Sequence, residues 1–438
     1  MTRTHRKSLR TMWTLTFSAV LSVGIIAATC LGVADAAVAH RSGPRFHGAP
    51  VHFDMTNSYT GTYASFGAAA WAGAKAAAYA INKAGGVNGH QLVLDKTDDY
   101  GDPVDAVPAQ KKEIATNHPS VLIGESTLTV FALEPITDHA GIPNFTAAGS
   151  LNFDHNRNPL LWRITPSDSQ LAAAMAVEGH NRGCKTGAIL FQAGTPDNQL
   201  APDLKRVFSR LGGKILTLQF FALNQTSYLS EVEKSLTGHP QCIFVDIPAT
   251  NAATIMNNYR EVNGLNDQFI GTTLTAAVTF TKAVGATVVH KHLVSLQPGS
   301  TGSGPAVKTF LHDYAVANGV SYKTAIVGAQ AGANYVYDAV NIAALAMDYA
   351  GTSNPKVWNK DVTKVSNAPG QIVYTYPKGL QLLKGHKKIN YTGAAGPDTY
   401  NQYHNEFGSW SATQVSATGK SVKTLNAISA AELKKVSS

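Results

Sequence analysis

An α/β fold of two consecutive lobes is what this sequence predicts, and three observations predict it. Strand-like and helix-like segments alternate from residue 51 to residue 146. The alternation restarts after the segment Trp162-Arg163-Ile164-Thr165-Pro166. The chain has 438 residues, 44% of them hydrophobic and only 15% charged, which suffices to bury more than one core. Strands separated by helices mark βαβ units around parallel central sheets.

The elements follow in order. Residues 51–58 read as a strand, and 64–84 as an Ala-rich helix closed by Gly85-Gly86, a helix-stop signal. Strand 91–96, helix 103–117, short buried strand 121–124, helix 130–140 and strand 142–146 complete the first half. The second half reads as helix 169–182, strand 186–191, helix 200–211, strand 214–221, helix 228–236, strand 242–247, helix 252–263 and strand 269–271. A strand at 292–297 leads into a Gly-rich hinge at 298–305 and one long helix at 327–349. Residues 370–410 are less regular. Residues 411–438 lack a core pattern and are expected to form a polar, partly mobile tail. Two α/β halves of similar size leave a cleft between them as the natural ligand site.

The N-terminus carries a targeting pattern. Arg3, Arg6, Lys7 and Arg10 precede an apolar run over 12–33, and small residues follow at Ala34-Asp35-Ala36 and Ala37-Val38-Ala39. This order is that of a secretory signal over residues 1–36, cut after Ala36 or Ala39. Lipid attachment at Cys30, giving a lipoprotein, and an uncleaved membrane anchor are the alternatives. The expected location is outside the cytoplasmic membrane, periplasmic or at the cell surface. Residues 37–50, rich in Gly, Pro and basic residues, read as a linker. With Asp35, the first 36 residues hold a net +3 of the chain's +8, leaving +5 without a basic stripe. That charge pattern argues against a nucleic-acid surface.

If Cys30 leaves with the signal, Cys184 and Cys242 remain. In a doubly wound sheet ordered 2-1-3, the first and third strands of a lobe are neighbours. Both cysteines sit at the starts of such strands, so a disulfide is expected, with two buried thiols as the alternative.

No catalytic constellation is present: neither a metalloprotease motif, a nucleophile elbow nor a phosphate loop. His290 and His292 would share one strand face, but no further metal ligand follows at a suitable spacing. Asp98 and Asp99 are adjacent and cannot act as a paired acid and base. Neither enzyme activity, a metal nor a cofactor is expected.

Short motifs in fixed order carry a family resemblance. They include Thr60-Gly61-Thr62-Tyr63-Ala64-Ser65-Phe66-Gly67, Ala80-Ile81-Asn82-Lys83-Ala84-Gly85-Gly86-Val87-Asn88-Gly89 and Asp98-Asp99-Tyr100-Gly101-Asp102-Pro103. Val121-Leu122-Ile123-Gly124, Gly141-Ile142-Pro143, Trp162-Arg163-Ile164, Tyr335-Val336-Tyr337-Asp338-Ala339 and Tyr391-Thr392-Gly393-Ala394-Ala395-Gly396-Pro397 follow. Together they resemble the branched-chain amino-acid (Leu/Ile/Val) binding proteins of ABC transporters, the type I periplasmic-binding-protein fold. The resemblance implies two Rossmann-like lobes joined by three hinge crossovers. The N-terminal lobe would hold 51–166, completed by about 300–390. The C-terminal lobe would hold 167–299, completed by about 391–410. It also implies a monomer that captures a small polar ligand and delivers it to an ABC permease. A ligand-sensing or accessory surface protein is the alternative.

By resemblance, Ser126 and Thr127 would hold a ligand carboxylate, a role compatible with capping the next helix. Ala148 and Ser150 lie where the family uses a backbone carbonyl and a hydroxyl, and Phe66 where an aromatic lines the pocket. Glu125 and Asp246 sit at strand ends, where a carboxylate could neutralise a cationic ligand group; solvated or turn-capping roles are the alternatives. The second lobe departs from the family. Residues 192–198 lack its Tyr-Gly, and Val289-His290-Lys291-His292 stands where Glu-Gly is common. A standard branched-chain ligand is therefore not implied.

Overall fold

The computed structural model describes residues 45–194, 200–299, 304–329 and 332–437. The expected signal and most of the linker lie outside these residues. The first lobe is built from β1 (Val51–Asn57), α1 (Ala64–Lys83), β2 (Leu92–Asp98), α2 (Pro103–Asn117), β3 (Val121–Ile123), α3 (Val130–Ala140), β4 (Asn144–Thr146) and β5 (Leu161–Arg163). Its sheet is ordered β2-β1-β3-β4-β5 and all its strands run parallel. Local chemistry sets several boundaries. Asp102 caps α2 by accepting from the Val104 amide at 2.7 Å, and Pro103 occupies the first helical position, where a missing N–H costs nothing.

The second lobe runs through α4 (Asp168–Asn181), β6 (Thr186–Gln192), α5 (Leu200–Arg210), β7 (Lys214–Phe221), α6 (Leu229–Ser235), β8 (Cys242–Asp246), α7 (Ala249–Asn263), β9 (Phe269–Gly271), α8 (Val278–Val284), α9 (Ala286–His292) and β10 (Leu293–Pro298). The chain then returns to the first lobe as α10 (Pro305–Ala317), α11 (Tyr322–Gly328), α12 (Ala333–Ala350), α13 (Pro355–Trp358), α14 (Val362–Ser366), β11 (Gln371–Val373), α15 (Tyr376–Lys384) and β12 (Ile389–Tyr391). It crosses a third time to end as β13 (Trp410–Val415), β14 (Val422–Ile428) and α16 (Ala430–Ser437). The larger sheet is ordered β14-β13-β10-β9-β8-β6-β7.

Three readings of the sequence need correction. Residues 411–437 are not a mobile tail: β13 pairs antiparallel with β10, β14 pairs with β13, and Trp410, Ala412, Ile428 and Leu433 enter the second lobe's core. The polar face of this hairpin hid its short buried alternation. The long helix expected at 327–349 starts later than expected: α11 ends at Gly328, and the long helix α12 runs over Ala333–Ala350 after Gly332, whose φ is +100°. His290 and His292 lie on α9, not on a strand. Their Nδ1 atoms face the carbonyls of Val415 and Asp267 at 2.8 and 3.1 Å.

The first lobe's core centres on α12, with Val336, Val340, Ile342, Leu345 and Met347 all buried. Each such side chain contributes roughly 1.5–3 kcal/mol relative to exposure. The small residues of α1 let α12 approach closely; a β-carbon at Gly73 would collide with the Ala333 backbone. In the second lobe β6 lies between β7 and β8, the 2-1-3 order, with Gly187 opposite Cys242. Cys184 and Cys242 are disulfide-bonded, their Cα atoms 6.0 Å apart.

Candidate functional site

In a parallel sheet, the loops after the strands gather at the carboxyl edge, where α/β proteins hold ligands. Here the loops after β1, β3 and β4 face those after β8 and β9 across a cleft of about 160 Å³. A cavity of similar volume holds one benzene ring, so the space suits a molecule the size of an amino acid.

On the first lobe, Ser58, Phe66, Ser126, Thr127, Ala147 and Gly149 line the cleft. Ser58 is held by Asp99, whose buried carboxylate accepts from the Ser58 hydroxyl at 2.6 Å, the Thr129 hydroxyl at 2.8 Å and the Gly101 amide at 2.9 Å. The Asn57 amide donates to the Gly124 carbonyl at 2.9 Å and so fixes the loop after β3. Thr129, not Ser126 or Thr127, occupies the cap position of α3. Ser126 Oγ accepts from the Leu128 amide at 3.3 Å, a local turn bond. Ser126 and Thr127 thus put hydroxyl-bearing residues on the cleft wall, just ahead of α3.

The crossover and the second lobe supply the carboxylates. Asp168, first residue of α4, and Asp246, last of β8, both line the cleft, with Thr272, Leu274 and Trp410 beside them. Thr272 donates its hydroxyl to Asp246 at 2.5 Å. Tyr63 and Tyr335 add aromatic walls from the first lobe. No Lys, Arg or His is among the described lining residues. Tyr63 also spans the cleft, its hydroxyl donating to Gln192 Oε1 at 2.7 Å.

Of the residues singled out from sequence, Phe66, Ser126, Thr127 and Asp246 line this cleft, whereas Glu125, Ala148 and Ser150 do not. At 147–150 the reason is alternation: consecutive side chains of an extended segment point to opposite sides, so Ala148 and Ser150 turn away where Ala147 and Gly149 face the cleft. Glu125 turns inward. It is fully buried without a hydrogen bond of ordinary geometry to either oxygen. Burial raises its pKa to about 8, opposed only in part by hydrogen bonding from its own backbone and Asn144. Ala148 is likewise buried, with Ala147 and Gly149 presented in its place. Ser150 faces away and caps the short 3₁₀ turn Leu151–Phe153, accepting from the Asn152 amide at 3.3 Å. Asp168, Tyr63 and Trp410 were missed. The Ser167-Asp168 pair opening a helix was the available signal for the first.

Among the described residues no group of His, Cys, Asp and Glu side chains could hold a metal ion, and no helix is long and apolar enough to cross a membrane.

Two lobes, three crossovers and a cleft at the carboxyl edges of both sheets define a ligand-capture protein of the two-lobed kind. The chain belongs to the periplasmic binding protein family, whose model matches residues 51–420. It is a solute-binding protein and not an enzyme. A curated relative, an amino acid binding protein of Pseudomonas aeruginosa, is 27% identical over 245 residues, covering 55% of this chain and 65% of its own length, just under two thirds. A substrate-binding protein of a chemotactic signal transduction system from Halobacterium salinarum is 23% identical over 72% of this chain and 74% of its own. Among solved structures, the leucine binding protein LivK of Thermotoga maritima superposes with a TM-score of 0.71 at 19% identity, covering 86% of this chain and 99% of that one. A solute binding protein of an ABC transporter from R. palustris, in complex with 4-hydroxybenzoate, has a TM-score of 0.71 at 16% identity, over 87% and 97%.

Proposed function

We propose that this protein is exported, captures a small zwitterion of the amino-acid class in the interlobe cleft and, as a monomer, delivers it to an ABC permease. One observation carries the ligand class: the cleft joins two carboxylates, Asp168 and Asp246, to the hydroxyl-bearing residues Ser58, Ser126 and Thr127, with no cationic side chain among the described lining residues. Ser126 and Thr127 suit the ligand's carboxylate, and Asp168 and Asp246 suit its ammonium group. Closing the lobes strips water from both ends of the ligand, so each end needs a fixed partner. The amino acid binding protein among the relatives supports the same class.

A second reading is a small aromatic acid. Phe66, Tyr63, Tyr335 and Trp410 form an aromatic wall, and a structural neighbour is in complex with 4-hydroxybenzoate. Such a ligand would place a lone anion beside two acids without an amine to offset them, so the zwitterion is the better match. Coupling to a sensor instead of a permease is kept open by the chemotactic relative.

Isothermal titration of the purified chain against the L-amino acids, their amides and 4-hydroxybenzoate tests the ligand class. Uptake of the bound compound, lost when this gene is deleted and restored by its return, tests the coupling to transport. N-terminal sequencing of the secreted chain tests export.

A further inference from the structure

Arg163 closes β5 at the edge of the first crossover and is only 3% exposed. Its guanidinium holds both ends of one turn. Nη1 donates to the Ser150 carbonyl at 3.1 Å, and Nη2 meets Asp154 Oδ1 at 2.7 Å. Between these two points lies the 3₁₀ turn Leu151–Phe153, which follows directly on the cleft-lining residues Ala147 and Gly149. The backbone of Arg163 is tied to the third crossover: its amide donates to the His404 carbonyl at 2.9 Å, and its carbonyl accepts from the Glu406 amide at 3.3 Å. Asn405, between those partners, donates its side-chain amide to the Phe153 carbonyl at 2.6 Å. Two crossovers and the ligand loop therefore meet at one side chain.

We propose that Arg163 is a positioning residue that holds the cleft loop at 147–154 in its binding-competent place before any ligand arrives. The backbone bridge between Arg163 and residues 404–406 makes this point part of the first lobe's rigid edge. The two-armed guanidinium then carries that rigidity into the loop. A lysine keeps the charge opposite Asp154 but, as a single point donor, cannot also span to the Ser150 carbonyl. A loop that is already ordered spares the ligand the cost of ordering it. The inference rests on the cleft as the ligand site and not on which ligand fills it.

Hydrogen exchange of the ligand-free protein tests it. In Arg163→Lys and Arg163→Met, amides of residues 147–154 are expected to exchange at least about tenfold faster, while those of β3 and β6 keep their rates. Uniform acceleration in step with a lowered melting temperature would mean a merely structural residue and would overturn the proposal. So would Arg163→Lys exchanging as the parent does. Any amino acid that binds the parent protein should bind Arg163→Lys at least about tenfold more weakly at a temperature where both are folded. Unchanged affinity would also overturn it. If no amino acid binds the parent, the ligand-class reading fails and the exchange experiment still decides the role of Arg163.

Discussion

Tyr63 and Gln192 join the two lobes across the mouth of the cleft, the tyrosine hydroxyl donating to the glutamine carbonyl oxygen at 2.7 Å. Tyr63 stands at the start of α1 and Gln192 at the end of β6, so the bond exists only while the lobes face each other closely. Replacing Tyr63 by Phe keeps the ring and removes the donor. One hydrogen bond contributes about 0.5–1.5 kcal/mol net, so ligand affinity should fall by about two- to tenfold. The loss should appear mainly in the dissociation rate, measured by stopped-flow release, because the bond forms on closure. An unchanged release rate would show that the contact plays no part in holding the lobes together.

Gly149 and Asp168 are similarly interdependent. A β-carbon at residue 149 would collide with the Asp168 carboxyl group, while the Asp168 amide donates to the Gly149 carbonyl at 2.8 Å. Gly149→Ala should therefore displace the carboxylate from the cleft and weaken capture of an ammonium-bearing ligand about as much as Asp168→Asn does. Calorimetric titration of both variants and of the double variant checks this. The two losses should not add, since neighbours that act through one group are coupled.

Glu125, Asp54 and Asp338 give the fold an unusual pH response. All three are fully buried, and desolvation raises their pKa values to about 8, 7 and 7. In the unfolded chain such groups titrate near 4. Between those limits the folded state holds more protons than the unfolded one, so stability is full at low pH and falls as pH rises through about 7–8. The melting temperature should be higher at about pH 5.5 than at about pH 8.5, and Glu125→Gln should raise it more at the higher value. A flat profile, or one that rises toward alkaline pH, would contradict the assignment of these acids as protonated.

The disulfide between Cys184 and Cys242 closes a loop with a sequence separation of 58. Loops of that order are typically stabilised by about 2–4 kcal/mol when cross-linked. Cys184→Ala with Cys242→Ala should therefore lower the melting temperature clearly. Peptide mapping without reductant should recover the two cysteines as one linked pair from the parent protein.

Much of the fold was legible because its signals are local. Asp102-Pro103 marks the start of α2, Gly141 stops α3, and parallel strands buried on both faces read as short apolar runs. Hairpin β13–β14 was not legible, since one of its faces is polar and its partner β10 lies far back in the chain. The site was partly legible. The loop after β3 does line the cleft, but periodicity alone does not tell whether Glu125 or Ser126 faces it, nor Ala148 or Gly149. One step of register moves a side chain from cleft to core. Asp168 and Trp410 reach the cleft only because the crossovers bring them there, which no spacing along the chain reveals, whereas Tyr63 lies in the loop between β1 and α1.

The most direct measurement is calorimetric titration of the purified protein with the L-amino acids and with 4-hydroxybenzoate, repeated on Asp168→Asn and Asp246→Asn. The zwitterion account predicts a single amino acid, or a close set, bound one to one, with affinity falling at least about tenfold in either variant. Tighter binding of 4-hydroxybenzoate, undiminished or improved when the two acids are removed, would contradict it.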